Sequence, residues 1–133
     1  MKYPVFKPYL TEDDKSYVMK CLDDGWISSN GPYIDQFEEA FSSYLGIKYS
    51  ISVSSGTSAL EVALAGLGIS SGEVILPSFT IASCAYAIQR VGAEPVFVDV
   101  DKDYLCIDPA LVRKRISKET KAIMIVNMYG NTC

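Results

Sequence analysis

Histidine is absent from all 133 residues of the chain. That excludes Ser-His-Asp and Cys-His mechanisms, imidazole general bases and histidine-ligated metals. Any chemistry must use lysine, tyrosine, carboxylates or a cofactor. Cysteine is sparse: Cys21, Cys84, Cys106 and Cys133 are widely separated and form no C-x-x-C pair. This spacing favours buried or idle thiols in a cytosolic protein over zinc ligands or disulfides. No basic run is present, because 12 basic and 16 acidic residues are interspersed for a net charge of −4. Nucleic acid, which needs clustered cations against its phosphates, is therefore not expected as a partner. The apolar stretches are broken by Gly, Ser or Pro, far below the roughly 20 residues that span a bilayer. The opening MKYPVFKPYL has no apolar core of signal-peptide type. Neither a membrane partner nor export is expected, and a cytoplasmic location follows.

What is present is globular in composition, with 49% hydrophobic and 21% charged residues. Thr11 followed by Glu12, Asp13 and Asp14 reads as a helix start, with acids at the positive end of the helix dipole. Tyr17, Val18, Cys21 and Leu22 give that helix one apolar face, and Gly25 ends it. WISSNGP is a loop. A second helix then carries Tyr33, Ile34, Phe37, Phe41 and Leu45 as one stripe and stops at Gly46. Beyond it the texture changes. Residues 49–53, 73–76, 95–98 and 122–126 read as strands. Residues 58–67, 80–91 and 109–116 read as helices, the last with Pro at its first position. The strands are apolar on both faces and helices separate them. The fold class is α/β: three layers, a mainly parallel sheet with helices on both faces. The division expected is 1–46, an N-terminal helical segment, and 47–133, the first part of an α/β domain. The chain stops just after a buried-type strand, where a returning helix is expected, so the layout reads as interrupted.

The chemistry is carried by Ser54-Ser55-Gly56-Thr57-Ser58, placed between a strand and a helix. A helix start offers unpaired N–H groups, Thr and Ser add hydroxyls, and Gly56 lets a ligand approach the backbone. Such a place binds phosphate without a cationic side chain, and it lies at the carboxyl end of a strand. An ordinary N-cap turn accounts for the same residues. No G-K-[ST] follows as in a P-loop, the G-x-G-x-x-G spacing is lacking, and no G-x-S-x-G elbow occurs.

The blocks GWISSNGPYIDQFEEAF, VSSGTSALEVALAGLGIS, EVILPSFTIAS, VGAEPVFVDVD, IDPALV, TKAI and MYG occur in this order. The series resembles the DegT/DnrJ-type sugar aminotransferases, a branch of the fold-type I pyridoxal-phosphate enzymes, and among them the perosamine-synthase-like members. The resemblance runs over essentially the whole chain. It implies a large cofactor-binding domain, a homodimer with active sites at the subunit interface, and pyridoxal 5'-phosphate held through its phosphate by Gly56 and Thr57. It also implies transfer of an amino group from glutamate to a keto carbon of a nucleotide-linked deoxysugar, as in polysaccharide biosynthesis. A lysine would form the Schiff base and shuttle protons.

Departures from the family pattern are specific. The aromatic residue that stacks on the cofactor is replaced by Ile81, which can pack on a pyridine ring by dispersion or serve plain helix-to-sheet packing. The stacking role is not carried over to Phe79. Tyr86 stands where the family often has Asn, and Asn127 where it commonly has His. The acid that pairs with the pyridinium nitrogen and the Schiff-base lysine both fall beyond the equivalent of Cys133. The lysines present (Lys2, Lys7, Lys15, Lys20, Lys48, Lys102, Lys114, Lys118 and Lys121) read as solvated surface charges. The chain alone is therefore expected not to transaminate, and its last strand to expose apolar surface that promotes self-association. Asp99, Asp101 and Asp103 read as a strand-end loop and not a metal loop, since no Gly follows. Trp26 is a candidate substrate contact, with packing of the helix pair as its alternative. A non-catalytic phosphate-ligand-binding or assembly protein derived from this family is the competing reading.

Overall fold

A computed structural model describes residue 4 and residues 6–133. Lys2, one of the lysines considered above, lies outside the described residues. The chain divides into two compact units, one ending at Ser52 and the other spanning Val53–Cys133.

The first unit holds α1 (Glu12–Asp23) and α2 (Pro32–Leu45). Thr11 caps α1 in a capping box: its hydroxyl accepts from the Asp14 N–H at 3.2 Å, and its own N–H donates to the Asp14 carboxylate at 2.6 Å. The Thr11 N–H, and then the Thr11 hydroxyl, both donating to the Asp14 carboxylate, hold that carboxyl below its ordinary pKa. Gly31 opens α2 with φ 150°, and a Cβ there would sit 2.7 Å from the Trp26 ring. Only glycine fits that backbone and that ring together. Neither helix contains a buried residue.

Residues 49–53 do not form the strand expected from sequence. The reason is local. Glu38 on α2 takes the Ser52 N–H at 2.7 Å and the Ser52 hydroxyl at 2.9 Å, while the Ser42 hydroxyl donates to Ser50 at 2.9 Å. The amide that would join a strand ladder is bound to a helix side chain instead.

The second unit holds α3 (Gly56–Gly66), β1 (Glu73–Pro77), α4 (Ala82–Arg90), β2 (Glu94–Val98), α5 (Pro109–Arg115), β3 (Thr120–Ile123) and a 3-10 turn at Met128–Gly130. The strands form a parallel sheet in the order β2-β1-β3, so the most apolar strand is central. Side chains alternate across β1. Val74 and Leu76 pack with Leu64 of α3 and with Cys84, Ala87 and Ile88 of α4. Ile75 faces the other way, with Val98 and with Val112 of α5. Helices thus cover both faces, and the three-layer α/β class is the one found. On β3 the pairing is shorter than its apolar run, because regular strand ends at Ile123. The Met124 N–H still reaches the Ile75 carbonyl at 2.7 Å. Ile123 and Ile125 lie 44% and 60% exposed on the α5 side, beside an apolar groove that includes Ile107 and Ile116. No described helix is long and apolar enough to cross a membrane.

Candidate functional site

Because α3 leads into β1 and α4 leads out of it, both helices run back along the sheet. Their C-terminal turns gather at the amino ends of the strands, where a Cβ on Gly92 would lie 2.8 Å from the Ser70 carbonyl oxygen. Their N-terminal ends therefore lie at the carboxyl edge of the sheet, the edge at which open α/β sheets take ligands.

Gly56 and Thr57 are the first two residues of α3. Ser55 caps the helix in extended conformation, and its hydroxyl accepts from the Ser58 N–H at 3.2 Å. The next amide is also taken, since the Ala59 N–H bonds the Ser55 carbonyl at 3.0 Å. Helix geometry leaves the N–H groups of Gly56 and Thr57 without acceptors inside the helix. The Ser58 hydroxyl lies 3.3 Å from that of Ser54 and 3.1 Å from that of Ser55, so three hydroxyls cluster at the same turn. A Cβ added at Gly56 would meet nothing within 4 Å. The space beside Gly56 is open, and the donor set is neutral and rich in N–H and O–H groups. A phosphate group fits that chemistry, aided by the positive end of the helix dipole.

Ile81 is the N-cap residue of α4 and is 67% exposed. Its side chain is therefore not committed to helix-to-sheet packing. Trp26 belongs to the first unit, 47% exposed, with its indole lying against Gly31. Gly56, Thr57 and Ile81 belong to the second unit, so the candidate residues divide between the two.

Sequence reading passed over an aromatic pair at the sheet edge. Phe79, just after β1, and Tyr129, after β3, have ring centroids 6.4 Å apart at 53°. Tyr129 has φ 52° and is exposed, a left-handed backbone that a bulky residue seldom takes. The signal available was the paired position of P-S-F and M-Y-G after two neighbouring strands. In the acidic loop after β2, the Asp99 and Asp101 carboxylates accept hydrogen bonds from neighbouring residues. Asp99 accepts from the Ser78 hydroxyl at 3.2 Å and the Val100 N–H at 2.9 Å. Asp101 accepts from the amides of Asp103 at 2.9 Å and Tyr104 at 3.0 Å. Every described lysine is exposed.

Comparison with known proteins gives these features a family. The chain is 42% identical to a GDP-perosamine synthase of Vibrio cholerae, over 98% of this chain and 36% of that protein. It is 46% identical to a GDP-perosamine synthase of Escherichia coli O157:H7, over 100% of this chain and 37% of that protein. Among solved structures, that of NtdA from Bacillus subtilis with bound cofactor PMP superposes with a TM-score of 0.82. It shares 37% identity and covers 90% of this chain and 27% of that one. The chain thus spans little more than a third of the length of the curated relatives it matches. With residues 8–133 matched to its pattern, the chain belongs to the DegT/DnrJ/EryC1/StrS aminotransferase family.

Proposed function

We propose that this chain is the cofactor-phosphate portion of a pyridoxal-phosphate-dependent aminotransferase acting on nucleotide-linked keto-deoxysugars, with glutamate as amino donor. The observation that carries the reading is the start of α3. In a chain of this family, two unengaged helix amides, three clustered serine hydroxyls and open space stand at the carboxyl edge of a parallel sheet. Gly56 and Thr57 hold the cofactor phosphate through their N–H groups and the Thr57 hydroxyl, and Ile81 lies against the cofactor ring. When bound, pyridoxal phosphate supplies the electron sink that amino-group exchange requires. Trp26 contacts the sugar-nucleotide substrate. The names of the relatives support the substrate class, and the bound PMP of the Bacillus subtilis structure supports the cofactor.

None of the described lysines serves as the Schiff-base residue. Each is exposed, and a catalytic amine needs a desolvated or cationic setting to lower its pKa. The chain by itself holds cofactor without turning substrate over. The complete enzyme is a cytoplasmic homodimer, and the exposed apolar side chains of α1, α2 and β3 are the surfaces that such an assembly would cover.

The test is a titration of the purified chain with pyridoxal phosphate, read by absorbance, then borohydride reduction and intact mass. Binding should weaken by about tenfold or more in Thr57→Ala, the effect of losing one hydrogen bond to a charged group. No lysine adduct should be trapped. Binding indifferent to Thr57 would overturn the phosphate assignment. A stoichiometric adduct on one lysine would overturn the claim that no catalytic lysine is present.

A further inference from the structure

Two thiols that lie far apart in sequence meet at the edge of the second unit. Cys106 follows Leu105, a non-glycine residue at φ 57°, in the loop that Val100 and Ile107 close with an antiparallel bridge. It is buried, while Cys133 is exposed. The Cys106 thiol reaches the carbonyl of Asn131, two residues before Cys133. Both cysteines line one cavity of about 210 Å³, together with Asp101 and Tyr104.

The segment after β3 is tied to this loop by two hydrogen bonds and folded on itself by two more. The Cys106 thiol donates to the Asn131 carbonyl at 3.5 Å, and the Asn131 amide donates to the Tyr104 carbonyl at 3.1 Å. The Cys133 N–H donates to the Asn127 side-chain oxygen at 3.0 Å, and its thiol to the Val126 carbonyl at 3.3 Å. The remaining thiols are placed differently. Cys84 is buried among core side chains beside Thr80, and Cys21 belongs to the first unit.

We propose that Cys106 and Cys133 are a redox pair that closes to an intramolecular disulfide when the protein meets a low-molecular-weight disulfide such as oxidised glutathione. The exposed Cys133 thiolate attacks one glutathione sulfur. A mixed disulfide forms and one glutathione thiol leaves. The Cys106 thiol then gives its proton to solvent and attacks the Cys133 sulfur. The protein disulfide forms and the second glutathione leaves as a thiolate that takes up a proton. Two protein thiols are oxidised and one glutathione disulfide is reduced to two thiols.

The order of attack follows from the surroundings. Cys133 is exposed and Cys106 buried, and burial pushes the Cys106 thiol up, so Cys133 is the first nucleophile. The bond would fasten the segment that carries Tyr129 to the loop after β2. The pairing stands independently of the cofactor assignment.

The experiment uses the full chain, reduced, freed of reductant and incubated with oxidised glutathione without oxygen. Free thiols are then trapped under denaturing conditions and the peptides mapped. The expected product links Cys106 to Cys133 and leaves Cys21 and Cys84 alkylated. In Cys106→Ser the reaction should stop at a persistent glutathione adduct on Cys133. A wild-type chain that stays as that adduct, that does not react, or that links Cys133 to Cys21 or to a second chain would overturn the proposal. The wild-type map alone decides, so the result does not depend on how the variant folds.

Discussion

Tyr33 donates its phenol hydrogen to Asp24 at 2.8 Å, joining the C-cap residue of α1 to the first turn of α2. The hydrogen bond to Asp24, more than desolvation or the nearby charges, pushes the Tyr33 phenol up to about 12 from its ordinary value of 10.0. A folded-state pKa above the unfolded one means that the proton stabilises the fold. The contribution is complete below about pH 10 and is lost as pH rises through about 12. Spectrophotometric titration should therefore show a late tyrosine component that is missing in Tyr33→Phe. If the variant instead removes a component titrating with the bulk of the tyrosines, the Asp24 contact does not hold in solution. Glu38 has the opposite sign. Hydrogen bonds from the Ser52 amide and hydroxyl lower its pKa, so its carboxylate's hold on Ser52 is present at neutral pH and released as acid protonates it. In a unit whose helices bury no residue, such polar links stand in for a core.

At the scale of elements, α4 and α5 cover opposite faces of the same central strand, and their contributions differ in kind. Ile88 of α4 is fully buried against Val74 and Leu76, so Ile88→Ala should cost about 2–5 kcal/mol through lost burial and a cavity. Asp108 caps α5, accepting from the Ala110 N–H at 2.7 Å, and Asp108→Ala should cost about 1 kcal/mol. Urea unfolding of both variants checks the order, and a larger loss for Asp108→Ala would contradict it.

Sequence made the three paired strands legible because each is a compact apolar run beside a helix with clear start and stop residues. It failed at residues 49–53, where the same apolar texture lies on a segment whose Ser52 amide is bound to Glu38. It also extended β3 to Val126 and began α4 at Thr80, where Ile81 still has the extended backbone of a cap. Gly56 and Thr57 could be singled out because a helix start is a local pattern. The pairs of Phe79 with Tyr129 and Cys106 with Cys133 could not, because each joins segments far apart in sequence, the first through the pairing of β1 with β3 and the second across one cavity.

At the scale of the whole molecule, the second unit has a two-sided core, whereas large apolar side chains stay exposed on α1, α2 and the far side of β3. A chain that spans little more than a third of its curated relatives carries those surfaces as parts of a larger assembly in the reading proposed above. The central claim remains local to the start of α3, where a phosphate is held by amides and hydroxyls and not by a cationic side chain. Its most direct test is the amide NMR spectrum of the isotope-labelled chain, titrated with pyridoxal phosphate and, separately, with pyridoxal. The account predicts that the Gly56 and Thr57 resonances move with pyridoxal phosphate and stay in place with pyridoxal. Resonances that do not move with pyridoxal phosphate, or that move equally with pyridoxal, would contradict it.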